Sequence, residues 1–281
     1  MSGMRVLITG GNTGIGKETA VGLAAKGAHV VFTSRDEARG HAAMNEIRQR
    51  SGSELVDVIP LDLARLASVR ECAASFLDRY DRLDVLVNNA GLVLASRTVT
   101  EDGLEATFQV NHLGHFLLTA LLRERLVASA PARVVNVASD AHTSAKRGLD
   151  FDDLQSERRY RAFAVYGKSK LANILFTREL ARRLDGTGVT ANAVHPGFVA
   201  TRFGRDGDTG LLGRIAMPLM RPFALDATAG AQTSIYVASD PTVDGITGAY
   251  WVKCAQAVPS DPAHDDAAAR RLWDVSEQLV A

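Results

Sequence analysis

The chain has 281 residues, and its 32 Lys or Arg and 32 Asp or Glu side chains cancel in formal charge. This balance excludes the broad positive field that would attract nucleic acid or anionic lipid. The two cysteines are too few for a disulfide framework and fit a reducing compartment. The first residues have no basic and then apolar signal segment, and no apolar run approaches the roughly 20 residues of a membrane span. We therefore expect a cytoplasmic protein with no membrane span and no nucleic-acid partner.

Short apolar runs rich in Val and Ile alternate with longer amphipathic stretches. The strand-like runs, in chain order, are 5–10, 29–34, 55–61, 83–89, 133–139, 189–196 and 248–252. The stretches with helical spacing are 15–27, 36–50, 66–80, 104–127, 162–185 and 226–239. Such alternation is typical of a parallel sheet covered by helices on both faces. The sequence thus predicts one α/β domain over residues 1–281, with a doubly wound (Rossmann) sheet of seven parallel strands.

Two stretches interrupt this alternation. Residues 142–161 are polar and charged and precede a helix, whereas residues 201–225 combine glycines and prolines with apolar side chains. Long insertions of this kind in α/β domains are often lids or binding loops. The second follows a strand end, where open sheets bind their ligands, and we expect a substrate loop there.

A glycine-rich turn, "ITGGNTGIGKETA", follows the first strand and opens the first helix. Glycines at such a turn let the backbone approach a pyrophosphate at the helix N-terminus, where free N–H groups favour anions. The spacing G-x-x-x-G-x-G alone also fits a tight strand–helix turn with no ligand, but its place in the first such turn favours dinucleotide binding. The predicted contacts in this turn are Gly10, Asn12, Thr13, Gly14, Ile15 and Gly16.

The end of the second strand, "FTSRD", bears on the choice of dinucleotide. NAD sites usually place a carboxylate here for the ribose 2′-hydroxyl, but this position is Ser34, followed by Arg35. A guanidinium can donate to a 2′-phosphate and stack on adenine, so NADP(H) is preferred and NAD(H) stays possible. Asp36 is the alternative carboxylate if the strand ends one residue later, and otherwise caps the next helix.

The stretch "VYGKSKLAN" places Tyr166 and Lys170 four residues apart, on one face of a helix. A phenol has a pKa near 10, and a cation about 4 Å away could lower it towards neutral pH, where general acid–base catalysis works best. Gly167 and Ser169 are small, so we expect the surface between the two side chains to receive a flat ligand. Alone, a Tyr-x-x-x-Lys pair is far more often an ordinary surface feature.

Other short motifs accompany this pair in a fixed order: "NNAG" (88–91), "NHLGHF" (111–116), "VNVAS" (135–139) and "HPGFVAT" (195–201). Together with the glycine turn, they resemble the short-chain dehydrogenase/reductase family along nearly the whole chain. Within that family the chain is similar to the retinol-dehydrogenase-like group, which includes the WW-domain oxidoreductase, through "TGGNTGIGKETA", "DDLQSERRY", "SKLANILFTRELARRL", "GVTANAVHPG" and "RRLWDVSEQLV".

The resemblance implies a role for each matching residue. Tyr166 would exchange the proton, Ser139 would orient the substrate oxygen, and Lys170 would lower the tyrosine pKa and hold the nicotinamide ribose. Asn111 would anchor a water that relays protons through Lys170. The remaining implied cofactor contacts are Asp62, Leu63, Asn89, Ala90, Gly91, Pro196, Gly197, Val199 and Thr201.

Taken singly, three of these residues have plain structural alternatives. Ser139 could cap a strand, Asn111 could mend a helix bulge, and Asp62 could serve a turn. The histidines form no metal-ligand spacing, so no metal is expected, and His195 is expected to be structural.

The expected function is hydride transfer between NADP(H) and a small-molecule alcohol or carbonyl, on a substrate that the apolar side chains of 202–225 suggest is apolar. A non-catalytic dinucleotide-binding regulator and a reductase of polar carbonyls are the alternatives. The resemblance also implies a possible homodimer or homotetramer through the helices at 104–127 and 162–185.

Overall fold

The protein folds around one central sheet, seen in a computed structural model that describes residues 1–197 and 226–281. Eight strands in these residues are ordered β3-β2-β1-β4-β5-β6-β7-β8. Their bounds are β1 Arg5–Ile8, β2 His29–Ser34, β3 Val56–Pro60, β4 Val85–Asn88, β5 Ala132–Val137, β6 Val189–His195, β7 Tyr250–Val252 and β8 Ala255–Ala257. Strands β1 to β7 pair in parallel, which confirms the predicted α/β sheet.

The sheet has one more strand than predicted, because β8 pairs antiparallel to β7. The two residues between them, Lys253 and Cys254, both have positive φ, at 51° and 61°. Two-residue hairpins of this twist are usually signalled by Asn-Gly or Asp-Gly. A Lys-Cys pair gives no such signal, so the prediction of seven strands was one strand short.

Helices cover both faces of the sheet. Their bounds are α1 Gly14–Ala25, α2 Glu37–Ser51, α3 Leu66–Arg79, α4 Ala106–Phe108, α5 Gly114–Ala128, α6 Ala162–Arg183, α7 Ala227–Ser239 and α8 Asp266–Leu279. The predicted helix at 104–127 is divided, because Gln109–Leu113 forms a π-helical turn between α4 and α5. Helix α8 was not among the predicted helices.

Two apolar cores follow from the alternation of side chains along the buried strands. Leu7 faces the core shared by α3, α5, α6 and α8, while Val6 and Ile8 face the core shared by α1, α2 and α7. Both cores are built mainly of Val, Leu, Ile, Ala and Phe with little or no exposed area. Burial on both faces explains why these strands are near-continuous apolar runs.

The strand order reverses at β1, whose neighbours are β2 and β4. At such a reversal the connections diverge to opposite faces of the sheet and leave a crevice at the carboxyl ends of the strands. The predicted substrate loop at 201–225, and with it Val199 and Thr201, lies outside the described residues. Among the helices of the described ranges, none combines the length and the apolar character that crossing a membrane requires.

Candidate active site

The glycine turn lies at the carboxyl end of β1 and leads into α1. Gly10 and Gly14 have φ of +67° and +56°, a region that favours glycine. A Cβ at Gly16 would lie 2.4 Å from the Gly10 carbonyl oxygen, so only glycine fits this close approach. Thr13 is the N-cap of α1 and makes no side-chain capping hydrogen bond.

This turn fits a dinucleotide pyrophosphate, because a compact glycine backbone meets a helix N-terminus whose first amides have no side-chain cap. Asn12 and Ile15 are half-buried and Thr13 is exposed, so this group of predicted contacts surrounds the same turn. The structure therefore brings together all six residues predicted at the phosphate end.

The end of β2 resolves the two alternatives for Asp36. Its carboxylate Oδ1 accepts a hydrogen bond from the Arg39 backbone N–H at 2.8 Å, and Asp36 is the N-cap of α2. The Ser34 hydroxyl donates to the Asp36 carbonyl at 2.7 Å. Strand β2 ends at Ser34, as predicted, and Arg35 is exposed beside it. The capping interpretation of Asp36 is confirmed.

Asn89, Ala90 and Gly91 form the edge of the crevice after β4. The Asn89 and Ala90 backbone N–H groups donate to the Thr9 hydroxyl at 2.8 and 3.0 Å. The Asn89 side chain also donates to the Thr9 carbonyl at 2.9 Å. A Cβ on Gly91 would lie 3.4 Å from Lys170 Nζ, so glycine keeps this edge open next to the ammonium group.

Asp62 and Leu63 follow β3 on the same side of the sheet. Asp62 is half-buried, and its Oδ1 accepts from the Ala64 N–H at 3.0 Å, which is the turn role foreseen as its alternative. The Leu63 side chain is buried in the core. The contacts of Asp62 and Leu63 with an adenine stay predictions. Because the Leu63 side chain lies in the core, only its main chain could contact the adenine.

Helix α6 carries Tyr166 and Lys170 on one face, as predicted. Lys170 Nζ lies 5.6 Å from the centre of the Tyr166 ring and donates to the Val137 carbonyl at 2.9 Å. Ser139 is hydrogen-bonded to the Tyr166 phenol and also accepts from the Ala141 N–H at 3.2 Å. Because Val137 and Ser139 stand at the end of β5, the strand and the helix together assemble these three side chains.

The expected lowering of the tyrosine pKa is wrong for these residues. Burial raises the pKa of Tyr166 to about 12, and the hydrogen bond with Ser139 acts in the opposite direction without cancelling it. Burial also lowers the pKa of Lys170 to about 8. Near neutral pH the pair is therefore a protonated phenol beside an ammonium group, an arrangement that donates a proton.

The small residues near Tyr166 have a different role from the predicted one. Gly167 is buried against the 3-10 helix Asp140–Ser144, and a Cβ there would lie 2.1 Å from the Ser144 hydroxyl oxygen and 2.6 Å from the Ala141 carbonyl oxygen. Ser169 is fully buried, and its hydroxyl donates to the Tyr166 carbonyl at 2.7 Å. Both residues thus let α6 pack closely against protein, and neither provides a ligand surface.

Asn111 lies in the π-helical turn and is fully buried. Its side chain accepts from the Leu92 N–H at 2.8 Å and donates to the Leu92 carbonyl at 2.9 Å and to the Ser169 hydroxyl at 2.9 Å. Turns of this kind are frequent at functional sites. Asn111 therefore fastens the edge after β4 to α6, and its part in a proton relay stays a prediction.

Pro196 and Gly197 follow β6 and are half-buried, and Gly197 has φ of +85°. His195, expected to be structural, accepts from the Asp140 N–H at 3.2 Å through Nδ1. His142 was not assigned a role, yet its Nδ1 donates to the Ser139 carbonyl at 2.7 Å and its Nε2 accepts from the Ser260 N–H at 3.0 Å. These histidines hold the peptide group between Ser139 and Asp140 from its two ends.

Residues 1–197 and 226–281 contain no cluster of three or more His, Cys, Asp or Glu side chains arranged to hold a metal ion. Together, the glycine turn, the edge after β4 and the group around Tyr166 define a nicotinamide-dinucleotide-dependent oxidoreductase. The family model of short chain dehydrogenases matches residues 4–150 and 153–210. The chain belongs to the short-chain dehydrogenase/reductase family.

The curated relatives show which group of the family the chain resembles: it is a retinol-dehydrogenase-like member. The chain is 46% identical to retinol dehydrogenase 14 of Mus musculus over 291 residues, covering 100% of this chain and 86% of that protein. It is 47% identical to retinol dehydrogenase 12 of Homo sapiens over 280 residues, covering 100% and 87%.

Solved structures agree with the family assignment. An uncharacterised protein from Mycobacterium paratuberculosis superposes with a TM-score of 0.79 at 36% identity, covering 99% of this chain and 94% of that one. A Pseudomonas aeruginosa RhlG/NADP active-site complex superposes with a TM-score of 0.72 at 27% identity, covering 94% and 97%. The chain is thus an NAD(P)-dependent oxidoreductase that acts on CH–OH groups.

Proposed function

We propose that this chain interconverts an alcohol and a carbonyl on an apolar substrate and prefers NADP(H) as its cofactor. The observation that carries the proposal is the convergence of Ser139, Tyr166 and Lys170 at the carboxyl edge of the sheet, beside the glycine turn. A dinucleotide-binding relative without activity would be expected to lack Ser139, Tyr166 or Lys170, and all three are present. The non-catalytic regulator is therefore the weaker alternative. The cytoplasmic location and the oligomeric state stay predictions.

When bound, the nicotinamide supplies or accepts the hydride at the substrate carbon. In the reducing direction, Tyr166 gives its phenolic proton to the carbonyl oxygen, and in the oxidising direction it takes that proton back. Ser139 accepts from the Ala141 N–H and keeps its own hydrogen for donation, so it can orient the same oxygen. Lys170 offsets the negative charge that Tyr166 acquires as its proton leaves.

Two observations support an apolar substrate. Phe163 is 64% exposed one helical turn before Tyr166, and the centres of the two rings are 6.5 Å apart. Relatives that are 46–47% identical carry the name retinol dehydrogenase, an activity on an apolar alcohol. We therefore expect apolar aldehydes or ketones to react with a higher kcat/KM than polar carbonyls.

The test of the chemistry is the variant Tyr166→Phe, assayed for NADPH oxidation with panels of apolar and polar carbonyls. Loss of the phenolic proton should lower kcat by roughly two to four orders of magnitude, the usual contribution of general acid–base catalysis. NADPH binding, followed by fluorescence titration, should be retained. Near-normal turnover by the variant would remove Tyr166 from its role, and an inactive wild-type chain that binds NADPH tightly would favour the regulator.

The test of the cofactor preference is Arg35→Ala. Because Asp36 is used in capping α2, Arg35 is the charged side chain left beside the predicted ribose site. Loss of a charge-assisted contact of about 1.5–3 kcal/mol should weaken NADPH binding by roughly one to two orders of magnitude, with little change for NADH. Equal losses for the two dinucleotides would refute the assignment.

A further inference from the structure

His115 is a fully buried side chain for which the proposed chemistry has no use. Its two ring nitrogens contact two different segments of the site. Nδ1 lies 3.1 Å from the Asn111 carbonyl oxygen, and Nε2 lies 2.9 Å from the Thr9 hydroxyl. Asn111 belongs to the π-helical turn, and Thr9 directly follows β1 and leads into the glycine turn. Among the described residues, no other side chain is hydrogen-bonded to both segments.

The protons in this network can be assigned from its partners. A carbonyl oxygen only accepts, so Nδ1 carries the hydrogen and donates to Asn111. In the neutral ring Nε2 must then accept, and the Thr9 hydroxyl donates to it. The Thr9 oxygen is left to accept the N–H groups of Asn89 and Ala90. The hydrogen bonds between the edge after β4 and Asn111 therefore all donate towards Asn111, and the Thr9 hydrogen points to Nε2 at 2.9 Å in preference to the Val87 carbonyl at 3.5 Å.

The ring stays neutral over the physiological range. Burial, with a smaller contribution from the positive charge of Lys170, lowers the pKa of His115 to about 4, although the hydrogen bond to the Asn111 carbonyl acts in the opposite direction. A protonated ring would have to donate from both nitrogens, and the Thr9 oxygen, with two lone pairs, could not accept from the ring and from both backbone N–H groups. The environment thus keeps His115 from acting as an acid or base itself.

We propose that His115 is a positioning residue that fixes the Asn111 main-chain carbonyl through one ring nitrogen and the cofactor-contacting edge Asn89–Ala90, via Thr9, through the other. The inference rests on the proposed function in one respect, since it takes Asn111 and the Asn89–Ala90 edge as parts of the site. A residue that merely fills space would need neither nitrogen.

The two roles can be separated with a matched pair of variants. The amide nitrogen of His115→Asn can take the place of Nδ1 and keep the bond to Asn111, while the bond to Thr9 is lost. The amide oxygen of His115→Gln can take the place of Nε2 and keep the bond to Thr9, while the bond to Asn111 is lost. The exposed His41 on α2 provides the control His41→Asn, which should match the wild type.

The readouts are NADPH affinity by fluorescence titration, kcat by single-turnover kinetics and Tm. Loss of one buried hydrogen-bond partner corresponds to roughly a tenfold effect. We expect His115→Asn to weaken NADPH binding roughly tenfold with kcat within about twofold, and His115→Gln to lower kcat roughly tenfold with NADPH affinity within about twofold. The Thr9→Val variant should weaken NADPH binding, and adding His115→Asn to it should cause no further loss, because both changes remove the same bond.

The proposal is overturned if both variants lower only Tm, or if both affect affinity and kcat alike. It is also overturned if the effects of Thr9→Val and His115→Asn on affinity multiply. The affinity measurements need no turnover, so they stand even if Tyr166→Phe shows that the proposed chemistry is wrong.

Discussion

At the scale of single residues, two opposing effects act on the pKa of Tyr166: burial and the positive charge of Lys170. An ammonium group 5.6 Å from the ring offers at most about 3 kcal/mol to a phenolate at an effective dielectric near 20. Burial works against the phenolate and prevails, so the pKa of Tyr166 is raised to about 12. A phenol in this state holds its proton until a substrate oxygen accepts it, and the charge of Lys170 matters as that transfer occurs.

This balance predicts how carbonyl reduction responds to pH. Burial lowers the pKa of Lys170 to about 8, so the side chain is charged below pH 8 and becomes neutral above it. Reduction requires the charged form, and kcat/KM should therefore fall above pH 8 by about tenfold per pH unit. The phenol, with its pKa near 12, stays protonated and does not contribute to this fall.

The variant Lys170→Arg is the control for that prediction, because a guanidinium keeps its charge throughout the accessible range. Its kcat/KM should be lower than that of the wild type but flat above pH 8. Profiles measured with one carbonyl substrate between pH 6 and 10 decide the point. If the variant loses activity above pH 8 as the wild type does, Lys170 is not the titrating group.

At the scale of elements, the site depends on the contact between α6 and the 3-10 helix Asp140–Ser144. Ser139 is the N-cap of that short helix, and Tyr166 precedes Gly167, whose Cα lies directly against it. The distance between the two proposed catalytic groups is thus set by how closely two backbones approach. Glycine at 167 is required by this packing, whatever ligand binds.

We predict that Gly167→Ala separates Ser139 from Tyr166. The added Cβ would lie 2.1 Å from the Ser144 hydroxyl oxygen and 2.6 Å from a backbone carbonyl, so the two elements must move apart. Overpacking of this kind typically costs 1–3 kcal/mol of stability, and a displacement near 1 Å can cost about a hundredfold in rate. We expect a lower Tm and a kcat at least tenfold below the wild type.

The adjacent variant Lys168→Ala controls for a general effect on this turn of α6, since Lys168 is half-buried and its truncation adds no atom to the helix. It should retain kcat and Tm. Unchanged kcat in Gly167→Ala would show that the contact does not set the geometry of the site.

The elements also show what the sequence could and could not predict. Periodicity and the glycine turn identify the strands and helices around the crevice, because each is encoded by its own residues. The hairpin at Lys253–Cys254 carries no local signal, and the π-helical turn at 109–113 was indicated only by Asn111 as a residue that could mend a helix bulge, since tertiary contacts impose both. Gly167 was predicted to face a ligand for the same reason. The residues that it contacts, Ala141 and Ser144, lie more than twenty positions away in the sequence and give no local signal.

At the scale of the whole molecule, α8 joins the C-terminal end of the chain to the catalytic half. Trp273 packs against Phe116 and Phe176, with ring centres 4.9 and 5.9 Å apart, and Ser276 bonds His112 at 2.9 Å. These contacts cover part of α5 and α6, the helices through which self-association was expected. An oligomer built on the same faces would therefore have to include α8 or displace it.

The buried histidines make the stability of the whole fold sensitive to acid. Burial lowers the pKa of His112 to about 3 and that of His115 to about 4, both below the ordinary 6.5. Between pH 6.5 and about 4 these histidines bind protons in the unfolded chain but not in the folded chain. The free energy of unfolding therefore falls as pH falls. Each histidine contributes a slope of up to about 1.4 kcal/mol per pH unit.

His112→Phe tests this, because the ring contacts of His112 with Phe108 and Phe176 suit an aromatic replacement and Ser276 keeps its bond to the Leu272 carbonyl. Urea unfolding should be followed at intervals from pH 6.5 to 5, above the range in which carboxylates protonate. The free energy of unfolding of the variant should fall less steeply with pH than that of the wild type, by up to one bound proton, or up to about 1.4 kcal/mol per pH unit near pH 5. Parallel curves for the two proteins would mean that His112 does not titrate on unfolding, and the acid sensitivity would then have to come from other groups.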